Sequence, residues 1–589
     1  MNTTATQANT PPRQLATVTK YFRTYRWYFL AGLAVTVLSS GLMMYTPRLV
    51  GQIIDGLEQG RGAGYAGRRV LILVGLTAAS GVFMFLMRRT VIWASRYIET
   101  DLRGEMFSHL LRLTPSYYHG TRTGDVMAAM TNDLEAIRMM AGPGVMYTAD
   151  AAVSLLIGLV MMLTISPSLT LWALLPLLVL PFGVHRIGSV IHKRNAKIQD
   201  HFGVLTAAAQ ENLAGMRVVK AYGQEEREIE NFRAVSETYI GLNISLAKVQ
   251  GIFAPLMRLI AALSYLTVFY MGGLRVINGT ETLGTVITFF GYLALMTWPV
   301  IAIGWVVSLY QRGLASLARV NRLLHTEPEV PEGGGRAAAG PMAGRIECRN
   351  LRFSYNGRPV LDGVNLMIEP GQTVGLLGLT GSGKTTLVNL IARLHPVERG
   401  MLFIDGVDVN DWPLRELRRQ IGFATQEPFL FSDSIAANIR FGRPEAGLAA
   451  VQQAARIAAL DKDVAEFPQG YETMVGERGI TLSGGQKQRT AIARAIVVDP
   501  RIIILDDATS AVDTETEHEI SQRIKEVLTA RTAIVISHRV SSVKDADQIV
   551  CFDDGRIIER GDHEALMARN GFYAQLYRSQ LLEKELEAL

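Results

Sequence analysis

The run Gly378-Leu379-Thr380-Gly381-Ser382-Gly383-Lys384-Thr385 follows the pattern G-x-x-x-x-G-K-[ST]. Glycines at this spacing let successive backbone N–H groups turn inward around phosphate oxygens, and a helix opening at the lysine adds the positive end of its dipole. In such a loop Lys384 pairs with the β- and γ-phosphates of a nucleoside triphosphate, and the Thr385 hydroxyl ligates Mg2+. The context fits: strand-like Thr373–Leu377 precedes the loop, and a helix-like stretch from Thr386 to Leu394 follows it. A second run, Ile502-Ile503-Ile504-Leu505-Asp506, is apolar without a break and ends in a carboxylate. Continuous apolarity reads as a strand buried on both faces of a parallel sheet. Asp506 at its end is placed to hold the same Mg2+.

Between these runs lies Leu482-Ser483-Gly484-Gly485-Gln486. A Ser-Gly-Gly turn opening a helix presents a hydroxyl and bare N–H groups to a phosphate. With this motif the chain resembles the ATP-binding-cassette (ABC) transporters, in which the segment completes a nucleotide site held by the opposite cassette. The resemblance implies ATP and Mg2+ as cofactors. It assigns Tyr355 to stacking on adenine, Gly378, Thr380, Gly381, Ser382, Gly383, Lys384, Thr385 and Thr386 to the phosphates, and Ser483, Gly484, Gly485 and Gln486 to the nucleotide across the interface. Thr385, Gln426 and Asp506 become the Mg2+ ligands, and Gln426, Asp507 and His538 the catalytic set. Ser510-Ala511-Val512-Asp513 resembles the segment that signals between cassettes, and Val475–Gly479 an exporter-specific loop. In the membrane half, Gly124-Asp125 with Asn132-Asp133, and Gly215–Glu225 with Phe232, resemble the intracellular segments of six-span (type IV) exporters.

One residue departs from the family pattern. Where the family places the glutamate that polarises the attacking water, this chain has Asp507. The side chain is one methylene shorter, so its carboxylate sits about an ångström away, a displacement that can slow chemistry on the order of 100-fold. The resemblance then points to the degenerate-site subunit of a heterodimeric multidrug exporter, whose intact LSGGQ completes the competent site of a partner chain bearing the glutamate. The alternatives are a homodimeric exporter, a lipid flippase and an ATP-gated regulatory or channel subunit.

These residues need elements to carry them. The chain has 589 residues, 49% hydrophobic and 19% charged, with a mean hydropathy of +0.18. Soluble domains average about a quarter charged. The excess hydrophobicity lies before residue 325, in uncharged runs long enough to cross a bilayer core of about 30 Å. Six spans follow: 27–47, 69–90, 146–165, 169–188, 252–275 and 283–308, the third and fourth joined by a hairpin at Ser166-Pro167-Ser168. Lys20, Arg23 and Arg26, then Arg88, Arg89, Arg96 and Arg103, then Arg186, Lys193, Arg194 and Lys197, then Arg312, Arg319 and Arg322 mark the cytoplasmic side. Both termini are therefore cytoplasmic. The net charge of +5 follows from that bias and calls for no nucleic acid.

The expected fold is a membrane α-helical domain (1–325) whose helices extend into the cytoplasm, a linker (326–345) rich in Pro, Gly and Ala, and an α/β P-loop cassette (346–589). The cytoplasmic connections break their helical pattern at Pro115–Gly120 and Gly215–Gly223, two candidate coupling segments. Arg258 interrupts span five, and Tyr573–Leu589 is an amphipathic stretch that packs on its own cassette or on a partner. Cys348 and Cys551, the two cysteines, fit a reducing compartment without a structural disulfide. The whole reads as an integral protein of a bacterial plasma (inner) membrane, moving small hydrophobic or amphipathic compounds.

Overall fold

The structure, a computed structural model, describes residues 11–333, 342–476, 479, 481–510, 516, 519–524 and 531–587. Two compact units result. One comprises the chain up to Leu111 with Thr121–Thr326, and the other comprises Arg112–Gly120 with the chain from Glu327.

The first unit is helical. It begins with α1 (Pro11–Thr24), α2 (Arg26–Glu58) and α3 (Gly62–Leu110). The short α4 (Pro115–Gly120) belongs to the second unit. The path Thr123–Ile165 is made of α5 (Thr123–Ala128), α6 (Leu134–Met139) and α7 (Val145–Ile165), joined through wider π turns at Ala129–Asp133 and Met140–Gly144. Pro143 sits in the second π turn, where its missing N–H breaks the ordinary ladder. Then come α8 (Pro167–Leu177), α9 (Leu180–Ala214), α10 (Met216–Ala221), α11 (Glu225–Ile277) and α12 (Leu283–Leu324).

Five helical stretches among the described residues are long and apolar enough to span a membrane: Arg26–Glu58, Gly62–Leu110, Thr123–Ile165, Glu225–Ile277 and Leu283–Leu324. The fourth expected span, 169–188, is not continuous. It is divided between α8 and α9 at a turn over Leu178 and Val179. Prolines at 176 and 181 flank that turn, and each removes a backbone donor. Five of the six expected spans therefore fall on helices of spanning length, and the fourth does not.

The helices outrun the bilayer. At 1.5 Å per residue the 49 residues of α3 and the 53 of α11 are about 74 and 80 Å long. Ion pairs hold the parts of α3 and α12 that lie beyond the expected spans. Glu99 on α3 faces Arg96, Arg103 and Arg138, the last at 3.5 Å with both side chains almost buried. Arg319 on α12 donates through Nε to Asp133 at 2.9 Å. At the other end α2 and α12 touch through small residues. A Cβ at Gly51 would collide with the Thr288 hydroxyl and lie 2.5 Å from the Gly284 carbonyl, and one at Gly291 would lie 2.7 Å from the Pro47 ring. Asp55 completes the contact by accepting from the Gly284 N–H at 2.9 Å and the Thr282 hydroxyl at 3.0 Å. Arg258, on α11, is exposed.

The second unit, from residue 346 on, holds two sheets. β1 (Ile346–Tyr355), β2 (Arg358–Ile368), β4 (Leu402–Ile404) and β5 (Val407–Asp408) form an antiparallel sheet in the order β2-β1-β4-β5. The other six strands are β3 (Thr373–Gly378), β6 (Ile421–Ala424), β7 (Ile502–Asp506), β8 (Thr532–Ile536), β9 (Gln548–Asp553) and β10 (Arg556–Gly561), in the order β10-β9-β3-β8-β7-β6. All pairs in that sheet are parallel except the edge pair β10–β9. Crossovers between parallel strands bury both faces, which is why β7 is buried at every position. Both cysteines are buried and free; burial pushes each thiol up to about 12. The C-terminal helix Phe572–Glu587 packs Tyr573 against the Val540–Cys551 side of its own unit.

Substituting Gly51→Val should lower the thermal midpoint of the purified protein by several degrees, since overpacking of this kind costs about 1–3 kcal/mol. Gly75→Ala, where an added Cβ meets nothing within 4 Å, should leave it unchanged. A thermal-shift measurement in detergent checks both.

Candidate nucleotide-binding site

The loop after β3 leads into α13 (Lys384–Ile391). Gly378, Gly381 and Gly383 have φ of 150°, 85° and 102°. At Gly383 the constraint is double, because a Cβ there would also meet the Leu361 side chain at 2.7 Å and the Val360 carbonyl at 2.9 Å. Lys384 is buried, and its Nζ donates to the carbonyls of Gly378 at 2.9 Å and Leu379 at 2.8 Å and to the Ser382 hydroxyl at 3.2 Å. Burial holds its ammonium below the usual lysine range, opposed by Asp506 and Asp507. The lysine thus lies folded over the mouth of its own loop, its charge poorly solvated and suited to an anion.

Asp506 ends β7 and is 2% exposed. It accepts a hydrogen bond from the Thr385 hydroxyl at 3.1 Å. Burial pushes its carboxyl up, the Thr385 bond opposing and the neighbouring Asp507 adding to the rise. A buried carboxylate beside a hydroxyl fits Mg2+, which takes one or two side-chain oxygens and fills its shell with phosphate and water. No group of three His, Cys, Asp or Glu among the described residues offers an all-protein cage. Gln426, after β6 (Ile421–Ala424), is exposed at the same end of the sheet. Asp507 is half-buried, sits at φ +46°, and donates its N–H to the Ile536 carbonyl at 2.9 Å. His538 lies two residues beyond the end of β8.

Tyr355 ends β1 and is half-buried. Thr380 and Ser382 lie in the loop, and Thr386 in the first turn of α13. Ser483 is not beside the other residues' loop but opens a separate helix, Gly484–Val497. It forms a capping box there: its hydroxyl accepts from the Gln486 N–H at 3.3 Å, and Gln486 Oε1 accepts from the Ser483 N–H at 3.0 Å. Gln486 Nε2 donates to Asp463 at 3.0 Å, so its side chain is committed to holding the turn. Ser483 and Gly484 face solvent. Residues 511–513 of the expected signalling segment and 477–478 of the expected exporter-specific loop lie outside the described residues.

Comparison with known proteins matches residues 29–300 to the ABC transporter transmembrane region and 361–510 to the ABC transporter family. The multidrug resistance-like ATP-binding protein MdlA of Escherichia coli K12 is 35% identical over 582 residues, covering 98% of both chains. The chain belongs to the ABC exporter family. An ATP-dependent lipid A-core flippase of Aromatoleum aromaticum is 37% identical, over 90% of this chain and 87% of that one. The structure of a bacterial Atm1-family ABC exporter with ATP bound aligns at a TM-score of 0.80 and 28% identity, over 94% of this chain and 98% of that one. With one transmembrane domain and one ATP-binding domain, the chain is an ABC exporter half-transporter, an ATPase coupled to transport.

Two contacts in the exporter's cassette unit escape a reading of the sequence. Gln580 of the C-terminal helix donates to the His538 carbonyl at 2.7 Å and accepts from the Val540 N–H at 2.9 Å, clamping the turn that presents His538. His395, 5% exposed, stands 5.2 Å edge-on from the Tyr355 ring and 3.2 Å, through Nδ1, from the Ser116 hydroxyl of α4. Burial holds His395 below the usual histidine range. Neither residue lies in a motif; only their partners do.

Gln580→Ala removes the acceptor for the Val540 N–H. Hydrogen exchange at that amide should quicken about fivefold, the equivalent of about 1 kcal/mol for one hydrogen bond, while amides of β3 stay unchanged. Exchange measured by mass spectrometry on the purified exporter checks this.

Proposed function

We propose that this half-transporter drives ATP-dependent export of hydrophobic or amphipathic compounds by alternating access, as one subunit of a heterodimer whose second chain carries the catalytic glutamate. The observation that carries the heterodimer is Asp507. Its backbone is tied to β8 through the Ile536 carbonyl, so the strand end cannot advance to recover the missing methylene. A carboxylate held short of the attacking water is a poor general base. The rest of the site supports tight ATP binding, with Lys384 and the loop amides on the phosphates and Thr385, Asp506 and Gln426 toward Mg2+. Ser483 and Gly484, exposed at their helix start, with the half-buried Gly485 next to them, suit the nucleotide of the partner cassette. Gln486 acts in this reading by fixing the turn. Drug export is favoured by the relatives named for multidrug resistance in Escherichia coli and, at 36% identity over 95% of this chain, Bacillus subtilis. The relative named as a lipid A-core flippase favours a second reading, a homodimeric lipid flippase.

The chain purified alone should hydrolyse ATP slowly, and Asp507→Glu should raise that rate about tenfold or more. Co-purified with a glutamate-bearing partner, the wild-type chain should support brisk turnover that Asp507→Asn barely alters. Brisk hydrolysis by the chain alone, abolished by Asp507→Asn, would show a competent homodimer instead.

A further inference from the structure

The six expected spans contain one acidic residue, Asp150. It lies on α7, 16 residues below the outer turn at Ser166, hence about 24 Å down a helix rising 1.5 Å per residue. In an apolar layer about 30 Å thick that depth is the cytoplasmic-leaflet third. A carboxylate there is kept only where it meets water, a partner or a ligand. The Ser40 hydroxyl of α2, itself buried, donates to Asp150 Oδ1 at 3.1 Å, and this is its one hydrogen-bond or ion-pair partner among the described residues. An ionised carboxylate has about four acceptor positions, and the side chain is only half-buried, so most of its capacity faces outward from the α2–α7 contact.

One turn toward the cytoplasm, on the same face of α7, lies Tyr147. Its ring meets Trp305 of α12 at 5.1 Å between centroids and 70° between planes, and Trp305 is exposed. A carboxylate with unspent acceptors beside an open aromatic pair is the chemistry that recognises an organic cation: charge to the carboxylate, apolar body to the rings. The depth agrees, since an amphipathic cation in the inner leaflet carries its charge near the headgroups and its body in the hydrocarbon.

We propose that Asp150, with Tyr147 and Trp305, forms a recognition site for lipophilic organic cations entering from the cytoplasmic leaflet. The site rests on the export reading for its purpose but not for its binding, so binding and transport are measured separately. Tritiated tetraphenylphosphonium and the neutral triphenylphosphine oxide serve as probes on the purified exporter, with its partner chain if one is required, in nanodiscs. The wild type should bind the cation more tightly. Asp150→Asn, which keeps the shape and the acceptor for Ser40, should weaken the cation about tenfold or more and leave the neutral probe unchanged. Asp150→Glu should restore cation binding. Should Asp150→Asn not assemble, Trp305→Leu should weaken the cation more than the neutral probe. No preference for the cation in the wild type, or equal weakening of both probes by the variants, overturns the site. ATP-driven uptake into inside-out vesicles separates the two readings. Cation binding as described without uptake leaves the site standing and removes export; uptake with a charge preference that ignores Asp150→Asn does the reverse.

Discussion

The parallel pairing of β7 with β8, with Asp506 opposite Ile536, is the constraint from which the nucleotide site follows. β3 pairs with β8 on the other side, Leu376 opposite Ile536. Three strand ends therefore meet at one edge of the sheet, and each releases a different chemistry there. β3 gives the phosphate loop, β7 gives Asp506 and Asp507, and β8 gives the turn with His538. Parallel strands demand this arrangement, because every crossover returns to the opposite edge and leaves the carboxyl ends for loops. The Thr385–Asp506 hydrogen bond then closes the edge laterally. Asp507, next along the chain, is tied to β8 by its N–H on the Ile536 carbonyl.

The membrane unit rests on different physics. In lipid there is no hydrophobic drive between helices, so small residues and polar contacts hold them. Gly51, Gly284 and Gly291 bring α2 and α12 close enough for Asp55 to cap the start of α12. Beyond the bilayer the same helices become ordinary soluble helices, and ion pairs such as Glu99–Arg138 take over.

What the sequence made legible was local. The phosphate loop, the apolar strand ending in Asp506 and the Ser483 cap are each written in a few consecutive residues, and so are the long apolar runs. What it concealed was either long-range or a matter of backbone interruption. Gln580 and the carbonyl of His538 lie 42 positions apart, and Ser116 and His395 279 apart; no periodicity predicts either. The Ser40–Asp150 contact likewise joins residues 110 positions apart. The division of α8 from α9 was hidden by apolar composition, which counts residues and passes over prolines at 176 and 181 that lack a donor.

One feature of the folded chain bears on how such proteins exchange parts. The segment Arg112–Gly120 is encoded within the membrane half but belongs to the cassette's compact unit, with Thr114 donating to Glu329 at 3.0 Å and Ser116 meeting His395. The cassette is thus discontinuous in the gene. A recombination that swapped everything after residue 345 between two relatives would separate His395 from its hydroxyl partner and leave a seam of mismatched surfaces. Inheritance of the two halves as one block is the arrangement that keeps this seam intact.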